Sequence, residues 1–122
     1  MSHKKYKILS TGVIKKDPTS NIAHIEVVNL DSDDTRKVIV QAFDWDSNSP
    51  VAIPVTPSGT VTINPNTLVS FDVFLIDVIN HFEVRITFVK TSEDVVANVF
   101  ETQGATPLKS IWHKELKQVD LD

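Results

Sequence analysis

Apolar and polar residues alternate along most of this chain with a period of two. Residues 81–88, HFEVRITF, place Phe82, Val84 and Ile86 on one face and polar side chains on the other. Residues 68–76, LVSFDVFLI, repeat the arrangement. Such alternation is typical of a β-strand that has one face on a core and the other in water. The pattern therefore predicts a chain built mainly from half-buried strands.

Short runs of Asp, Asn, Pro and Gly interrupt these segments and are typical of turns. Strands recur at the 8–12-residue spacing of a sandwich or barrel, and no helical pattern lies between them. We therefore expect an all-β fold, an antiparallel two-sheet sandwich of about eight strands, jelly-roll or immunoglobulin-like. The predicted strands are residues 4–14, 21–30, 36–45, 51–56, 61–63, 68–76, 81–88 and 95–100.

The two ends of the chain differ from its middle. Residues 1–15 contain one strand-like piece between lysines, which fits an ordinary first strand or an arm that completes a neighbour's sheet, and we predict the N-terminal arm. Residues 16–122 are predicted to form a single sandwich domain. Within it, residues 105–122 fit a helix capped by Thr106 with Pro107 in its first turn, and the alternative of a last strand is what the family resemblance given below implies.

Composition narrows the functional classes. The chain has 122 residues, 41% of them hydrophobic, which suits one domain with one core. Its net charge of −4 argues against nucleic-acid binding, because no basic field is available to hold a phosphate backbone. The longest apolar run is too short to span a membrane, and the N-terminus lacks the apolar core of a signal peptide. We expect synthesis in the cytoplasm without a signal peptide.

Residues 43–50, FDWDSNSP, resemble the start of a calcium-binding loop, D-x-D-x-N, through Asp44, Asp46 and Asn48. An EF-hand loop also needs Gly at its sixth position and Glu at its twelfth. Ser49 and Val55 occupy those two positions, so the bidentate ligand is missing. An acidic turn is the favoured interpretation, and a weak surface cation site is the alternative.

No other motif indicates chemistry. The four histidines are widely separated, the chain has no cysteine, and no G-x-S-x-G sequence is present. Three glycines leave no phosphate-binding loop. We therefore expect no enzyme activity, no metal and no cofactor. Trp45 and Trp112 raise the alternative of a monomeric module that binds carbohydrate or a surface, although packing within the sandwich is favoured for Trp45.

The three segments HIEVVNLDSDDTRKVIVQAFDW, VTINPNTLVSFDV and HFEVRITFVKTSEDVVANVFE carry a family resemblance that covers roughly residues 8–101. In these segments the chain resembles small β-sandwich proteins of spore-forming Firmicutes. It is similar to subunits of endospore appendages, which are pilus-like fibres on the spore surface. The resemblance implies a jelly-roll-like subunit whose N-terminal connector docks on the next subunit of a helical stack.

The same resemblance implies a homo-oligomer on the spore or cell surface. The better-known appendage subunits cross-link through Cys in the connector, whereas this chain has none, so its joints are expected to be noncovalent. Strand donation by the arm supplies main-chain hydrogen bonds and closes an exposed sheet edge. We therefore predict a structural, self-assembling fibre subunit. Its expected assembly contacts are Tyr6, Ile8, Leu9, Val13 and Ile14.

Overall fold

The computed structural model describes residues 6–89 and 94–120 and confirms the all-β prediction. Two antiparallel sheets pack as a sandwich, with seven strands in one and four in the other. The strands are β1 (Tyr6–Ser10), β2 (Ile14–Lys15), β3 (Ile22–Asn29), β4 (Arg36–Asp44), β5 (Val51–Ile53), β6 (Thr60–Ile63), β7 (Thr67–Phe74), β8 (His81–Val89), β9 (Val95–Gln103), β10 (Thr106–Ile111) and β11 (Lys117–Val119).

The larger sheet has the order β11-β1-β8-β4-β5, and the smaller has the order β10-β9-β3-β7. In the larger sheet β2 also pairs with β8, and β6 pairs with β4. The chain changes sheet between β2 and β3, β3 and β4, β6 and β7, β7 and β8, β8 and β9, and β10 and β11. Because consecutive strands are so often in different sheets, the two layers are linked repeatedly by the chain itself.

The core is the layer of apolar side chains between the two sheets. From the larger sheet, β8 contributes Phe82, Val84, Ile86 and Phe88, the face that the alternation predicted. The smaller sheet meets them with the inward residues of β3, β7 and β9. The fully buried members of that second set include Ala23, Ile25, Val27, Phe71, Val73, Ala97 and Val99.

The described part of the predicted arm belongs to the chain's own sheet. Strand β1 lies between β8 and β11, with Tyr6 opposite Val89. Strand β2 continues along β8 after an irregular step at Gly12, which has a φ of 71°. A side chain at that φ is strained, so glycine suits the position. Residues 1–5 of the predicted arm lie outside the described residues.

The tail after Gly104 is mostly extended, as the last-strand alternative predicted. Residues 106–111 pair with β9 at the edge of the smaller sheet. Pro107 is tolerated there because an edge strand has one unpaired side. A single 3-10 turn at His113–Glu115 then carries the chain to β11 in the larger sheet. The helix alternative for residues 106–111 is wrong because β9 offers them a complete strand partner.

The sandwich has two ends, which we call the Tyr6 end and the Phe74 end. Tyr6 starts β1 beside Val89, and β1 with β2 then runs along β8 to its first residue, His81. The β7–β8 connection, residues 75–80, lies at this second end, directly after Phe74. The start of the described chain and the β7–β8 connection are therefore at opposite ends.

Two phenylalanines on β7 allow a matched test of this core. Phe71 is fully buried, whereas Phe74 is 64% exposed on the same strand. Phe71→Ala should lower the free energy of unfolding by about 3–5 kcal/mol, because it leaves a cavity in the core. Phe74→Ala should change it by no more than about 0.5 kcal/mol. Urea unfolding of both variants measures the difference, and equal losses would contradict the assigned faces.

Candidate functional site

A cluster of exposed apolar side chains occupies the Phe74 end of the sandwich. We call it the end cluster, and it consists of Val51, Phe74, Ile76 and Ile79. Ile76 is 83% exposed, Ile79 75% and Val51 55%. Single exposed apolar residues are ordinary, but contiguous ones mark interaction surfaces. The end cluster is the strongest candidate for a binding surface in the described part of the chain.

A groove of about 360 Å³ is lined by three members of this cluster, Val51, Phe74 and Ile76. One wall is β5, at the margin of the larger sheet. The last residue of β7, at the margin of the smaller sheet, contributes to the other wall. We call this groove the end groove. It is lined by Asp44, Val51, Ala52, Ile53, Pro54, Phe74, Ile76, Asp77 and Val78. A groove between two sheet margins offers both apolar side chains and free main-chain groups.

The groove opens where pairing between the two sheets stops. Thr56 and Asp72 exchange two backbone hydrogen bonds of 3.0 and 2.9 Å, which close the side of the sandwich. In the same antiparallel register the next pair would be Pro54 and Phe74. Proline has no N–H to donate, so the bridge cannot continue. The margins of the two sheets therefore separate after the Thr56–Asp72 bridge, and the end groove lies in the gap between them.

Asp46 holds the loop that carries Ile76 and Ile79. Its carboxylate accepts hydrogen bonds from the backbone N–H groups of Ile79, Asn80 and His81, at 2.7, 2.9 and 2.8 Å. These bonds, chiefly the one from Ile79, lower the pKa of Asp46 below its ordinary value. The carboxylate thus remains charged and fixes the exposed apolar loop in position.

These contacts confirm an acidic turn at residues 43–50. Asp44 accepts a hydrogen bond of 2.8 Å from the backbone N–H of Asp46, and Asn48 adopts a left-handed φ of 68°. Both oxygens of Asp46 are already engaged by backbone amides. Across residues 6–89 and 94–120, no group of three or more acidic or histidine side chains is arranged to hold a metal ion.

A second carboxylate, that of Glu83, ties β1 to the outer face of the larger sheet. It accepts hydrogen bonds from the Ser10 hydroxyl at 2.6 Å, the Trp45 indole N–H at 2.9 Å and the Arg85 Nε at 2.9 Å. Burial opposes ionisation of Glu83, but the three donors outweigh it and lower its pKa. Trp45 is therefore a half-buried structural side chain on the outer face of the larger sheet, and the prediction that it packs within the sandwich is wrong because its indole N–H is bound by Glu83 there.

The buried carboxylate of Glu101 anchors the segment between β2 and β3. Its Oε1 accepts hydrogen bonds from the backbone N–H of Asp17 and the hydroxyl of Ser20, both at 2.9 Å. The backbone N–H of Lys16 donates to the oxygen of Asn80 at 2.7 Å. The segment after the arm is thereby fixed against the Phe74 end.

The outer face of the smaller sheet carries a second, more polar group of residues. His24 Nδ1 lies 2.8 Å from Asp72, and His24 Nε2 lies 3.2 Å from Glu26. Burial lowers the affinity of His24 for a proton, but these two carboxylates outweigh it and raise its pKa. Next to His24, Phe100 meets the 46% exposed indole of Trp112 edge-on, with 5.8 Å between ring centroids. We call these five residues the aromatic face.

His113 has a structural role at the end of the tail. Its Nδ1 accepts a hydrogen bond of 2.9 Å from the backbone N–H of Ala97. Burial, together with the positive charge of Lys7, lowers the pKa of His113 and favours this neutral acceptor form. The ring therefore joins the 3-10 turn to the smaller sheet.

The structure separates the five expected assembly residues instead of grouping them. Leu9 is buried in the core of its own chain, and Ile14 packs partly against that core. Ile8 is half-buried, whereas Tyr6 and Val13 are about half exposed. Their role as contacts between chains stays a prediction.

Sequence reasoning missed the end cluster, although its signal is visible in the alternation. The strand pattern that places Phe71 and Val73 inward also places Phe74 and Ile76 outward, among the polar positions. Apolar residues at outward positions are the departure that marks the surface. The approach of Val51 depends on the fold, because residues 51 and 74 are far apart in sequence.

Comparison with protein-family models, with curated proteins and with solved structures finds no match to this chain. The resemblance to endospore appendage subunits therefore stays a prediction, and the candidate site is argued from its own geometry. Among the described residues, no helix has the length and apolar character needed to cross a membrane.

Asp46→Ala should loosen the loop that carries Ile79, because three backbone amides lose their acceptor. We expect the amides of Ile79, Asn80 and His81 to exchange hydrogen about tenfold faster, while the β8 amides from Val84 onward remain protected. Asp77→Ala is the matched control, since Asp77 is exposed in the same loop. Amide exchange followed by NMR measures this, and unchanged rates in Asp46→Ala would contradict the clamp.

Proposed function

We propose that this protein is a structural subunit that assembles head to tail, without covalent links, into a fibre of like subunits. The observation that carries the proposal is the placement of two features at opposite ends of one sandwich. The N-terminal segment leads into β1 at the Tyr6 end, and the end cluster is exposed at the Phe74 end.

Contacts between unlike ends have a direct structural consequence. A heterologous contact repeats from copy to copy and produces an open filament unless the rotation closes a ring. The chain has no cysteine, so each joint must rest on burial, main-chain pairing and charge. The resemblance to endospore appendage subunits supports the same role and favours a spore or cell surface as the place of the fibre.

The structure leaves fewer residues available for strand donation than the predicted arm, residues 1–15, contains. Strands β1 and β2 complete the chain's own larger sheet, and removing them would expose the whole edge of β8. Residues 1–5 precede Tyr6, and nothing in the described sheet pairing depends on them. We therefore assign strand donation to residues 1–5, with Tyr6 alone of the five expected contacts at the joint.

The first test is electron microscopy of the full chain beside a variant that lacks residues 1–5. We expect the full chain to form regular filaments and the shortened chain to remain a monomer. Because β1 is retained, both proteins should show the same urea midpoint. A variant with residues 1–5 replaced by Gly and Ser of equal length distinguishes the chemistry of the segment from its length.

Two results would overturn this function. A full chain that stays monodisperse at every concentration tested would remove the fibre. Filaments that form equally well without residues 1–5 would remove the N-terminal segment from the joint. The unchanged urea midpoint is needed in either case, since it shows that the shortened protein is folded.

The second candidate function is a monomeric module that binds carbohydrate or a surface ligand. The aromatic face favours it, because an exposed indole lies beside groups that can donate and accept hydrogen bonds. A groove of about 260 Å³, lined in part by His24 and Asp72, adjoins this face. Apolar rings with a few convergent polar groups are typical of small-ligand sites.

A glycan array followed by titration tests this second function. We expect Trp112→Ala to weaken any saturable ligand about tenfold, because the ring surface is lost. Trp45→Phe is the control, since Trp45 lies on the other sheet beside Glu83. An array without hits, or equal affinity in Trp112→Ala and the unmodified protein, would remove the aromatic face as a sugar site.

A further inference from the structure

We infer that the end groove is the acceptor site for the lysine-bearing N-terminal segment of a second copy of this chain. The segment is residues 1–5, which precede β1, and it would lie along the free side of β5. This inference rests on the proposed function and names the partner and the binding site at each joint.

Strand β5 provides the main-chain part of the site. It pairs with β4 on one side and ends the order of the larger sheet, so its other side has no strand neighbour among the described residues. Both Val51 and Ala52 are exposed. An extended segment can add to such an edge through main-chain hydrogen bonds, while side chains enter the adjoining groove. The short edge strand of one copy is then closed by the next copy.

Charge favours the same occupant. The end groove is lined by Asp44 and Asp77, and its lining contains no basic residue. The N-terminal segment carries Lys4 and Lys5 and no acidic residue. Complementary charge selects partner and orientation more than it adds affinity. A lysine-bearing segment fits this groove, whereas an acidic segment would be repelled.

The exposed apolar side chains at the two ends of the sandwich also match each other. The Tyr6 end exposes Tyr6 itself and Leu30, which directly follows β3. The Phe74 end exposes the end cluster. When one copy stacks on the next, these two groups face each other and lose water together, which stabilises the joint.

The segment is long enough to reach the groove. Five residues in extended form span at most about 17 Å. The groove starts at the very end of the neighbouring sandwich, so the segment needs to cross only the contact between stacked copies. It does not have to follow the length of a sandwich, which is about 30 Å for the nine residues of β8.

The absence of natural cysteines allows a direct test with pairs of engineered cysteines. One protein carries Ala52→Cys in β5, and the other carries Lys4→Cys or Lys5→Cys. Two donor positions are used because neighbouring residues of a strand point to opposite sides. After mixed assembly and mild oxidation, we expect a disulfide between position 52 and one of the two donor positions.

The control acceptor is Ser110→Cys, an exposed position on β10 of the other sheet. Because a disulfide needs Cα atoms within about 7 Å, it should not form between position 110 and either donor. A charge exchange adds a second readout. Asp77→Lys should raise the protein concentration needed for filaments about fivefold, and Lys4→Glu with Lys5→Glu in the same chain should lower it again.

The outcomes separate the groove from the function. Filaments with a disulfide at position 52 but not at 110 establish the acceptor site. Filaments without that disulfide, or with equal cross-linking at both positions, overturn the groove and leave head-to-tail assembly standing. A protein that forms no filament under any condition overturns the proposed function itself, and this inference with it.

Discussion

One apolar layer between the two sheets determines the rest of this structure. The inward residues of β8 meet those of β3, β7 and β9 there, and most connections of the chain cross from one side of that layer to the other. No single hairpin can bury its inner face alone, because its partners belong to the opposite sheet. Most of the pairing is therefore between residues distant in sequence, which slows folding and makes the native sandwich a cooperative unit.

Carboxylates fix the ends of the sandwich where this apolar layer stops. Asp46 and Glu101 bind backbone amides of crossing loops, and Asp31 does the same for the amides of Asp33 and Asp34 between β3 and β4. The loops therefore keep defined positions, and in the β7–β8 connection the buried side chains of Leu75 and Val78 add to this. At the Phe74 end this arrangement leaves Ile76 and Ile79 in water, so a well-ordered apolar surface is available to a partner.

The fold could be predicted from the sequence wherever buried and exposed positions alternate along a strand. The inward faces of β3, β4, β7 and β8 follow from a period of two, which one strand displays by itself. The small strands β2 and β11 could not be predicted as separate elements, because three residues or fewer carry no period, whereas β5 lies within the predicted strand 51–56. The end groove was beyond prediction because it depends on how Pro54 interrupts the approach of two sheet margins. The arm was assigned as separate, since sequence cannot tell a chain's own edge from a neighbour's.

The position of β1 between β8 and β11 has a mechanical consequence for a subunit loaded along its length. Five residue pairs join β1 to β8 and three join it to β11, all side by side. A pull on Tyr6 along the strand axis acts across these hydrogen bonds in shear. The bonds share the load and must break together, whereas a pull at right angles would open them one after another. The chain therefore enters the sandwich at a place where tension is resisted by a whole strand.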